Sequence, residues 1–421
     1  METCVRLIFI NCMPISSIFG DKMALPWFVR RGFSVELWDL SAIYFTPKQI
    51  DAYFSGSAQL RFEFEPCRRF GDALQVERAL QALPKNSFIY HLTRLSHSCV
   101  DDFWLLRQLR LSKLPYAIQQ LENAFSPPDQ SKRSLSQRLA WLGSKVYPLE
   151  RLWSSIKIAR QVLCFKRGER SLLTSDYYAH PSLAFGVGKV GRDAFSSYKA
   201  LGCRYVSLPS PNILWQRLES DKLASITPDV ILFVDESIGH APDARLQGFT
   251  TTTDLDAYYR NMQRLFTLVE TVTGLPVVVG ASGKVVYQGN PFGREIIYRQ
   301  TLQLCERAKL VLGHASSAMY HAICADKPIL LLSDPTFTNT KHEHVTTLSH
   351  GTGIPWYRTT EIDSQTISAL ASTDNRQLIE HLFKEPGVSG DYRQLIADAI
   401  VQLMAQRELS ATGSTQQESA D

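Results

Sequence analysis

Residues 310–318 read LVLGHASSA, a short apolar run that ends at Gly313 and is followed by His314 and the pair Ser316-Ser317. The pattern predicts a buried strand, a turn in which glycine lets another backbone approach, and then a helix. The first N–H groups of a helix have no partner within it and hold phosphate well, and serine hydroxyls add donors. We therefore expect His314, Ser316 and Ser317 to bind phosphate; the alternative is that Ser316 only caps the helix.

Apolar runs and amphipathic stretches alternate around this segment. The run 228–234, PDVILFV, is typical of a buried strand of a parallel sheet, and a helix over 255–272 should begin after Asp254 and end at Gly274. Further strands are predicted at 276–280, 310–312 and 328–332, and further helices at 295–309 and 316–325. Four strands with three helices between them predict a Rossmann-like half.

The first part of the chain alternates in the same way. Strands are predicted at 5–11, 34–40, 88–92 and 115–119, and helices at 21–31, 72–83 and 101–111. Because 421 residues exceed one ordinary domain, the predicted fold class is α/β with two Rossmann-like domains. The predicted domains are 1–165 and 166–390, followed by a crossover helix over 391–407 and a disordered tail over 408–421.

The composition is that of a globular protein, with 44% hydrophobic and 20% charged residues. The formal net charge of +4 is too small for this length to indicate nucleic-acid binding. No apolar run reaches the roughly 18–20 residues of a membrane span, and no secretory signal is evident. Eight cysteines spread singly indicate a reduced, cytoplasmic protein without disulfides.

The segment 131–170 is the most basic part of the chain, with ten Lys or Arg against Glu150 and Glu169. Apolar residues, including two tryptophans, are interleaved with these charges. A basic amphipathic segment of this kind can lie on an anionic membrane surface. Two interpretations stay open: peripheral contact with the inner face of the cytoplasmic membrane or a lipid-linked acceptor, and a solvated helical pair.

A second strand end carries two acids, Asp235 and Glu236, directly after Val234. Ligands of an open α/β sheet bind at the carboxyl ends of its strands, so both carboxylates are expected to face the ligand. A carboxylate there can act as general base for an acceptor hydroxyl. Asp235 is the favoured catalytic residue because it lies nearer the strand end, and Glu236 is the second candidate. The alternative is that the acids cap the next turn or pair with a surface arginine.

A third strand end, residues 280–284, reads GASGK. Gly280 and Gly283 leave room for a ligand to approach the backbone, while Ser282 and Lys284 offer a hydroxyl and a charge to phosphate. The string lacks the spacing of a P-loop, so its weight comes from its place at the same sheet edge. Arg294 is a further candidate anion contact, with a surface arginine as the alternative.

Two further patterns receive no function. His342 and His344 form a His-x-His pair without a third ligand in view, so no metal site is predicted. Gly186, Gly188 and Gly191 match the GxGxxG spacing of dinucleotide-binding folds, but no strong apolar strand precedes them and no acidic residue stands at the ribose position. No cofactor is predicted.

An acidic pair, a Gly-rich loop and a Ser-Ser pair in this order resemble the C-terminal domain of bacterial surface-polysaccharide glycosyltransferases with the GT-B fold, of the sialyltransferase and Kdo-transferase kind. The stretch 235–237 resembles the D/E-D/E-G motif of that family, and Ser316-Ser317 its Ser/Thr pair. Ala281-Ser282 stands where the family has His-Pro, whose histidine helps to hold the donor phosphate; Lys284 or His314 would take that role. The resemblance covers roughly residues 228–335.

The resemblance implies an inverting, metal-independent glycosyltransferase whose two domains face a central cleft, with the acceptor on the first domain. The implied donor is a nucleotide sugar, with CMP-linked Kdo or another nonulosonate among the candidates. The implied acceptor is a cell-surface polysaccharide or lipid-linked glycan, as in capsule or lipopolysaccharide synthesis. Three alternatives stay open: a polysaccharide pyruvyltransferase, a nucleotide-sugar epimerase, and a non-catalytic GT-B-like protein that binds nucleotide sugar or polysaccharide.

Overall fold

The computed structural model describes residues 4–17, 23–55, 61–91, 102–120, 180–199, 202–214, 229–242, 246, 250–281, 283–369 and 376–417. The basic segment 131–170, Ser282 and residues 418–421 lie outside the described residues, so the predictions made for them stay predictions.

The first sheet contains seven strands, each parallel to its neighbours, in the order β3-β2-β1-β4-β5-β6-β7. The strands are β1 (Arg6–Asn11), β2 (Ser34–Asp39), β3 (Cys67–Arg69), β4 (Ser87–His91), β5 (Tyr116–Gln120), β6 (Leu183–Val187) and β7 (Arg204–Leu208). Residues of β1 and β6 are buried on both faces, which is why their sequences are continuous apolar runs. The four strands predicted for this part of the chain are confirmed.

Seven helices accompany this sheet within the described ranges. They are α1 (Leu25–Arg30), α2 (Ser41–Tyr44), α3 (Pro47–Phe54), α4 (Ala73–Gln81), α5 (Asp102–Ser112), α6 (Gly188–Ala194) and α7 (Ser196–Lys199). Local sequence fixes where some of them begin. Thr46 and Gln49 form a capping box before α3, and the Asp72 carboxylate accepts the Gln75 N–H at the start of α4.

The second sheet contains six parallel strands in the order β10-β9-β8-β11-β12-β13. They are β8 (Val230–Val234), β9 (Val277–Ala281), β10 (Ile296–Tyr298), β11 (Ala308–Gly313), β12 (Ile329–Ser333) and β13 (Trp356–Arg358). Counted from β8, this is the 3-2-1-4-5-6 order of the Rossmann fold. The associated helices are α8 (Leu255–Thr273), α9 (Thr301–Arg307), α10 (Met319–Cys324), α11 (Asn339–Thr352), α12 (Ser364–Ala369) and α13 (Arg376–Phe383).

Helix α8 begins and ends where the sequence predicted. The Asp254 carboxylate accepts the Ala257 N–H at its start, and Gly274 ends it with a φ of 69°. The single helix predicted over 295–309 is wrong. The structure divides this stretch into the short edge strand β10, helix α9 and the start of β11. Two adjacent isoleucines favour the strand because β-branched side chains suit a sheet.

The predicted division of strands at 165/166 differs from the observed pairing. Strands β6 and β7, which follow that boundary, continue the first sheet beside β5, and the second sheet begins only at Val230. The strand pattern alone gives no sheet membership, because a parallel strand carries the same apolar signature in either sheet.

A long last helix, α14 (Tyr392–Gln417), returns to the first domain as predicted for the crossover helix. Its residues Ile396, Ile400 and Met404 are buried in the same core cluster as β1, β2 and β6. The prediction of disorder from residue 408 is wrong for 408–417, which extend the helix. Among the described helices, none combines the length and hydrophobicity that a membrane span requires.

The two domains contact each other through helices that follow strand ends. Val190 of α6, in the first domain, packs against a second-domain cluster that includes Met319 of α10 and Phe383 of α13. Arg192 of α6 forms an ion pair with the buried Glu385 just after α13. Because α6 follows the carboxyl end of β6 and α10 that of β11, the carboxyl edges of the two sheets face each other.

Candidate functional site at the carboxyl edge of the second sheet

The polar loops of the second domain meet where its strand order reverses. Strands β8 and β11 are neighbours, and Val234 is the register partner of Gly313. The residues that follow them, Asp235-Glu236 and His314, therefore leave the sheet side by side, with the β9 loop beyond. A point at which strand order reverses opens a crevice beyond the carboxyl ends of the strands, which is where such sheets bind ligands. The sequence placed these loops at one edge, and the topology brings them together.

Asp235 lies inside the domain and not on its surface. Only 2% of the residue is exposed, its Oδ2 accepts a hydrogen bond from the Tyr287 hydroxyl at 2.7 Å, and its Oδ1 accepts the Ser237 N–H at 2.9 Å. Burial raises the pKa of the carboxyl to about 6, and these two hydrogen bonds oppose the rise. Asp235 thus holds the turn after β8, in which Ser237 adopts a φ of 56°. A direct contact with substrate, which the sequence favoured for Asp235, would require this turn to open.

Glu236 is the more accessible of the two acids. Its side chain is 24% exposed, and its Oε2 lies 2.5 Å from the ammonium of Lys341. Lys341 stands in the first turn of α11, is only 3% exposed, and lies over the ring of Phe337 at 6.0 Å. A buried ammonium needs an ionised partner, so the pair fixes a carboxylate at the crevice. Glu236, and not the favoured Asp235, therefore has the more exposed side chain; which of the two acids is catalytic stays a prediction.

His314 is a core residue. It is 0% exposed; one ring nitrogen, Nδ1, lies 2.8 Å from the carbonyl oxygen of Leu332, and Nε2 lies 3.0 Å from the hydroxyl of Tyr258. Nδ1 donates in this arrangement because the carbonyl can only accept, and Nε2 accepts from Tyr258. Burial, with the nearby charge of Lys341, lowers the pKa of His314 to about 4 and keeps the ring neutral. The expected phosphate contact of His314 is therefore wrong: both ring nitrogens are engaged and neither faces the crevice.

The serine pair forms the turn between β11 and α10. The Ser316 hydroxyl accepts the Ala318 N–H at 3.2 Å, and Ser317 is exposed. Helix α10 starts at Met319, three residues later than predicted, so Ser316 is not its N-cap. Gly313 is required by packing, because a Cβ there would collide with the Met319 Sδ. The two hydroxyls stay at the ligand edge, now in a turn and not in the first turn of a helix.

The end of β9 and the loop after it contain two closely packed glycines and a half-buried lysine. Gly280 lies inside β9, where a Cβ would come 2.9 Å from Leu232, so its small size serves the core. Gly283 has a φ of 76°, and a Cβ there would meet the side chain of Arg299 at 2.8 Å. Lys284 is half-buried in the same loop. Arg299 itself follows the carboxyl end of β10, so this edge carries a second basic residue, which the predicted helix over 295–309 concealed.

Arg294 lies at the opposite edge of the sheet. It precedes β10 and forms a two-pronged ion pair with Glu270, with Nε–Oε1 and Nη2–Oε2 distances of 2.8 and 2.7 Å. Glu270 also accepts the N–H of Val277, the first residue of β9. Parallel strands have all their starting ends on one edge, so Arg294 is remote from the crevice. Its predicted role as an anion contact of that site is wrong.

A further acid, Asp334, lies at the end of β12 and is held by hydrogen bonds within the domain. It is 3% exposed and accepts hydrogen bonds from Thr336, Thr359 and Asn261. Sequence reasoning missed Lys341 and Tyr287 as well as Asp334. A Lys in the first turn of a helix and a Tyr in a loop carry no local signal, because only the packing of α11 and of the β9 loop against β8 brings them to the acids.

The glycine triplet of the first domain also differs from its expectation. Gly186 lies within the fully buried strand β6, so the expectation that no strong apolar strand stands there is wrong. Gly186 and Gly191 approach so closely that a Cβ on Gly191 would meet the Gly186 backbone at 2.8 Å. These glycines pack α6 against β6. In the described ranges no three His, Cys, Asp or Glu side chains gather as metal ligands.

The sequence matches no protein-family model and no curated protein. The fold is similar to that of Glycyrrhiza uralensis UGT73P12, solved with glycyrrhetinic acid 3-O-monoglucuronide, at 13% identity over 99% of both chains and a TM-score of 0.50. Two other similar structures are the Methanocaldococcus jannaschii UDP-GlcNAc 2-epimerase (8% identity, 95% of this chain and 100% of that one, TM-score 0.49) and the wall teichoic acid polymerase TagF (10%, 97% and 92%, 0.48). The chain has two Rossmann-like domains in the GT-B arrangement.

Proposed function

We propose that this protein is a glycosyltransferase that binds a nucleotide sugar at the carboxyl edge of its second sheet and transfers the sugar to a glycan acceptor. One observation carries the proposal: in a GT-B fold, the point where the strand order of the second sheet reverses holds a carboxylate, Glu236, that is fixed by a buried lysine. The fold supplies the place for a nucleotide, and the acid supplies a base.

The nucleotide phosphates have several donors at this edge. The hydroxyls of Ser316 and Ser317 end the β11 loop, and Lys284 and Arg299 bring positive charge from the neighbouring loops. Positive side chains and oriented hydroxyls at strand ends are the chemistry that binds a diphosphate or monophosphate ester. The same groups would stabilise the negative charge that grows on the phosphate as the sugar departs.

Glu236 is the proposed general base. It would accept the proton of the acceptor hydroxyl while the oxygen bonds to the anomeric carbon and the nucleotide leaves from the opposite face, which inverts the configuration. Lys341 is a positioning residue that holds the Glu236 side chain in place through their ion pair. Asp235 supports the same turn through Tyr287 and the backbone, without touching the substrate. A metal-independent mechanism with Kdo or another nonulosonate as the donor sugar remains part of the proposal.

Thermal stabilisation by nucleotides tests the binding part. A ligand that binds only the folded state raises the unfolding temperature, so CMP, UDP, GDP and dTDP are compared on the intact chain. One nucleotide is expected to stand out and to identify the donor. The absence of a shift with all four would contradict nucleotide binding at this edge.

Glu236→Gln tests the chemical part. With the matching nucleotide sugar and glycan acceptors, release of free nucleotide is expected to fall by about 10²–10⁴-fold, while the thermal shift with the nucleotide persists. Glu295→Gln, at the opposite edge of the same sheet, is the matched control and is expected to keep full activity. Nucleotide binding with unchanged release in Glu236→Gln would remove Glu236 from the mechanism and favour the non-catalytic alternative.

The role of Lys341 is tested by stability. Glu236→Gln alone leaves a buried ammonium without a counter-charge, a change that costs about 3–5 kcal/mol in buried pairs. Replacing both residues, with Lys341→Met beside Glu236→Gln, removes the isolated charge, so the double variant is expected to be more stable than Glu236→Gln alone. Additive destabilisation by the two substitutions would show that the residues do not form a coupled pair.

A further inference from the structure

One cavity of the first domain lies at the carboxyl edge of its own sheet. It is a cavity of about 230 Å³ beside the ends of β1 and β2. Its lining includes Pro14, Ile15, Asp39, Ser41, Phe54 and Arg69. Pockets for drug-sized ligands measure about 300–1,000 Å³, so this volume suits a smaller molecule of about one sugar ring. The carboxyl edge of this sheet faces the second domain, which places the cavity on the side of the proposed donor site.

One side of the cavity is polar and incompletely closed. Asp39 is half-buried; its Oδ1 accepts the Ser41 N–H at 2.9 Å, while its Oδ2 stands 3.9 Å from the Nε of Arg69. That separation exceeds hydrogen-bond length. A hydroxyl placed between the two side chains would donate to Asp39 and accept from Arg69, which is the double role that a sugar hydroxyl can play.

The lining also contains aromatic rings. Phe54 and Phe62 contribute rings, and the guanidinium of Arg61 lies over the Phe54 ring at 5.1 Å. Arg61 is held there by Asp51, whose Oδ1 lies 3.2 Å from Nη2. A cavity lined both by hydroxyl-binding groups and by aromatic rings fits a sugar, whose hydroxyls project sideways and whose C–H groups form an apolar face.

The charges of the cavity balance. The two acids, Asp39 and Asp51, each lie beside an arginine, Arg69 and Arg61 respectively. A charged ligand would have to compete with one member of a pair for its partner, whereas a neutral ligand can bridge the pair without breaking it. The balance therefore favours a neutral occupant over an anionic one.

We propose that this cavity binds one neutral sugar ring, which, if the proposed function holds, is the terminal residue of the acceptor glycan. One hydroxyl of the sugar donates to Asp39 and accepts from Arg69, and Phe54 and Phe62 contact the C–H face. The acceptor class is thereby a neutral hexose-terminated glycan, and the selectivity against acidic sugars resides in the two acid–arginine pairs.

Saturation-transfer NMR on the intact chain without nucleotide tests the proposal. The probes are methyl glucoside, methyl galactoside, methyl mannoside and, as the anionic counterpart, methyl glucuronide. At least one neutral glycoside is expected to bind, and to bind at least several-fold more tightly than the glucuronide. No binding of any neutral glycoside, or tighter binding of the glucuronide, would overturn the proposal.

Variants locate the binding. Asp39→Asn keeps the acceptor for the Ser41 N–H but loses the carboxylate, and Arg69→Gln loses the guanidinium; each is expected to weaken glycoside binding about tenfold. Arg31→Gln, an exposed arginine near the amino end of β2, is the control and should bind as the wild type does. Circular dichroism confirms that each variant is folded. Unchanged glycoside binding in both cavity variants would refute the assignment to this cavity.

The glycoside experiments test the cavity independently of the nucleotide experiments, which test the donor site. Nucleotide stabilisation reports on the second domain, and glycoside binding reports on the first. If nucleotides bind while neutral glycosides do not, the sugar cavity is wrong and the glycosyltransferase proposal stands. If glycosides bind at Asp39 and Arg69 while nucleotides do not, the cavity is right and its role as an acceptor site falls.

Discussion

Replacing Asp235 with asparagine is expected to stabilise the protein above pH 6. Burial raises the pKa of the Asp235 carboxyl from its ordinary 3.8 to about 6. Between these pH values the folded state keeps a proton that the unfolded state has already lost, so the free energy of unfolding falls as the pH rises. At about 1.4 kcal/mol per pKa unit, the loss amounts to about 3 kcal/mol and is complete above pH 6. Asparagine cannot ionise and escapes this loss.

The geometry allows the substitution. The side-chain oxygen of the asparagine would still accept the Ser237 N–H, and its amide would donate to the hydroxyl of Tyr287, which then accepts a bond instead of donating one. In the wild type, His314 masks part of the pH dependence that Asp235 causes, because the titration of His314 changes the free energy of unfolding in the opposite direction. Burial lowers the pKa of His314 from 6.5 to about 4, so its contribution to stability increases as the pH rises through that window.

Urea unfolding at pH 4, 5, 6, 7 and 8, followed by circular dichroism, measures the effect. The difference in the free energy of unfolding between Asp235→Asn and the wild type isolates the carboxyl, since His314 is common to both proteins. This difference should be near zero at pH 4 and reach about 3 kcal/mol in favour of the variant at pH 7 and 8. Asp256→Asn, at an exposed acid of α8, is the control for the substitution itself. A pH-independent difference for Asp235→Asn would show that the Asp235 carboxyl does not titrate with a raised pKa in the folded protein.

Three further substitutions separate packing roles from ligand roles. His314→Phe should lower the free energy of unfolding by about 1–3 kcal/mol for each of the two buried groups that lose their hydrogen-bond partner. Its nucleotide affinity, measured by calorimetric titration, should be unchanged. A loss of affinity in a folded variant would instead support phosphate binding by His314. Gly313→Ala should destabilise by about 1–3 kcal/mol in urea unfolding, because its Cβ displaces Met319, and an unchanged midpoint would contradict that contact. Arg294→Ala should lower the unfolding temperature by breaking the pair with Glu270 and leave nucleotide affinity intact; weaker nucleotide binding would argue against its remote position.

Most strands and the longest helix of the second domain were predictable because their signals are local. A buried parallel strand is a continuous apolar run, and α8 carries its own cap at Asp254 and its own stop at Gly274. Strand β10 was not predictable in this way. It is three residues long, and its pairing with β9 defines it more than its sequence does.

The candidate site likewise has features that the sequence predicted and features that it did not. The order of the loops along the chain correctly gathered the ends of β8, β9 and β11 at one edge, because parallel strands share their carboxyl ends. Residue type alone misjudged His314, since a histidine after a strand looks the same whether its ring enters the core or the crevice. Arg294 was misjudged because the missing strand β10 hid which edge of the sheet it occupies.

The α/β class, the two Rossmann-like units, the crossover helix and the acidic strand end follow from the amino-acid sequence, because apolar periodicity and the residues at strand ends are local features of the chain. The tertiary structure decided the rest: that β6 and β7 belong to the first sheet, that Asp235 turns inward, and that Lys341 reaches Glu236. These features depend on which face of an element becomes buried. Burial is set by segments distant in the chain, and it also sets the pKa and the accessibility of every candidate group.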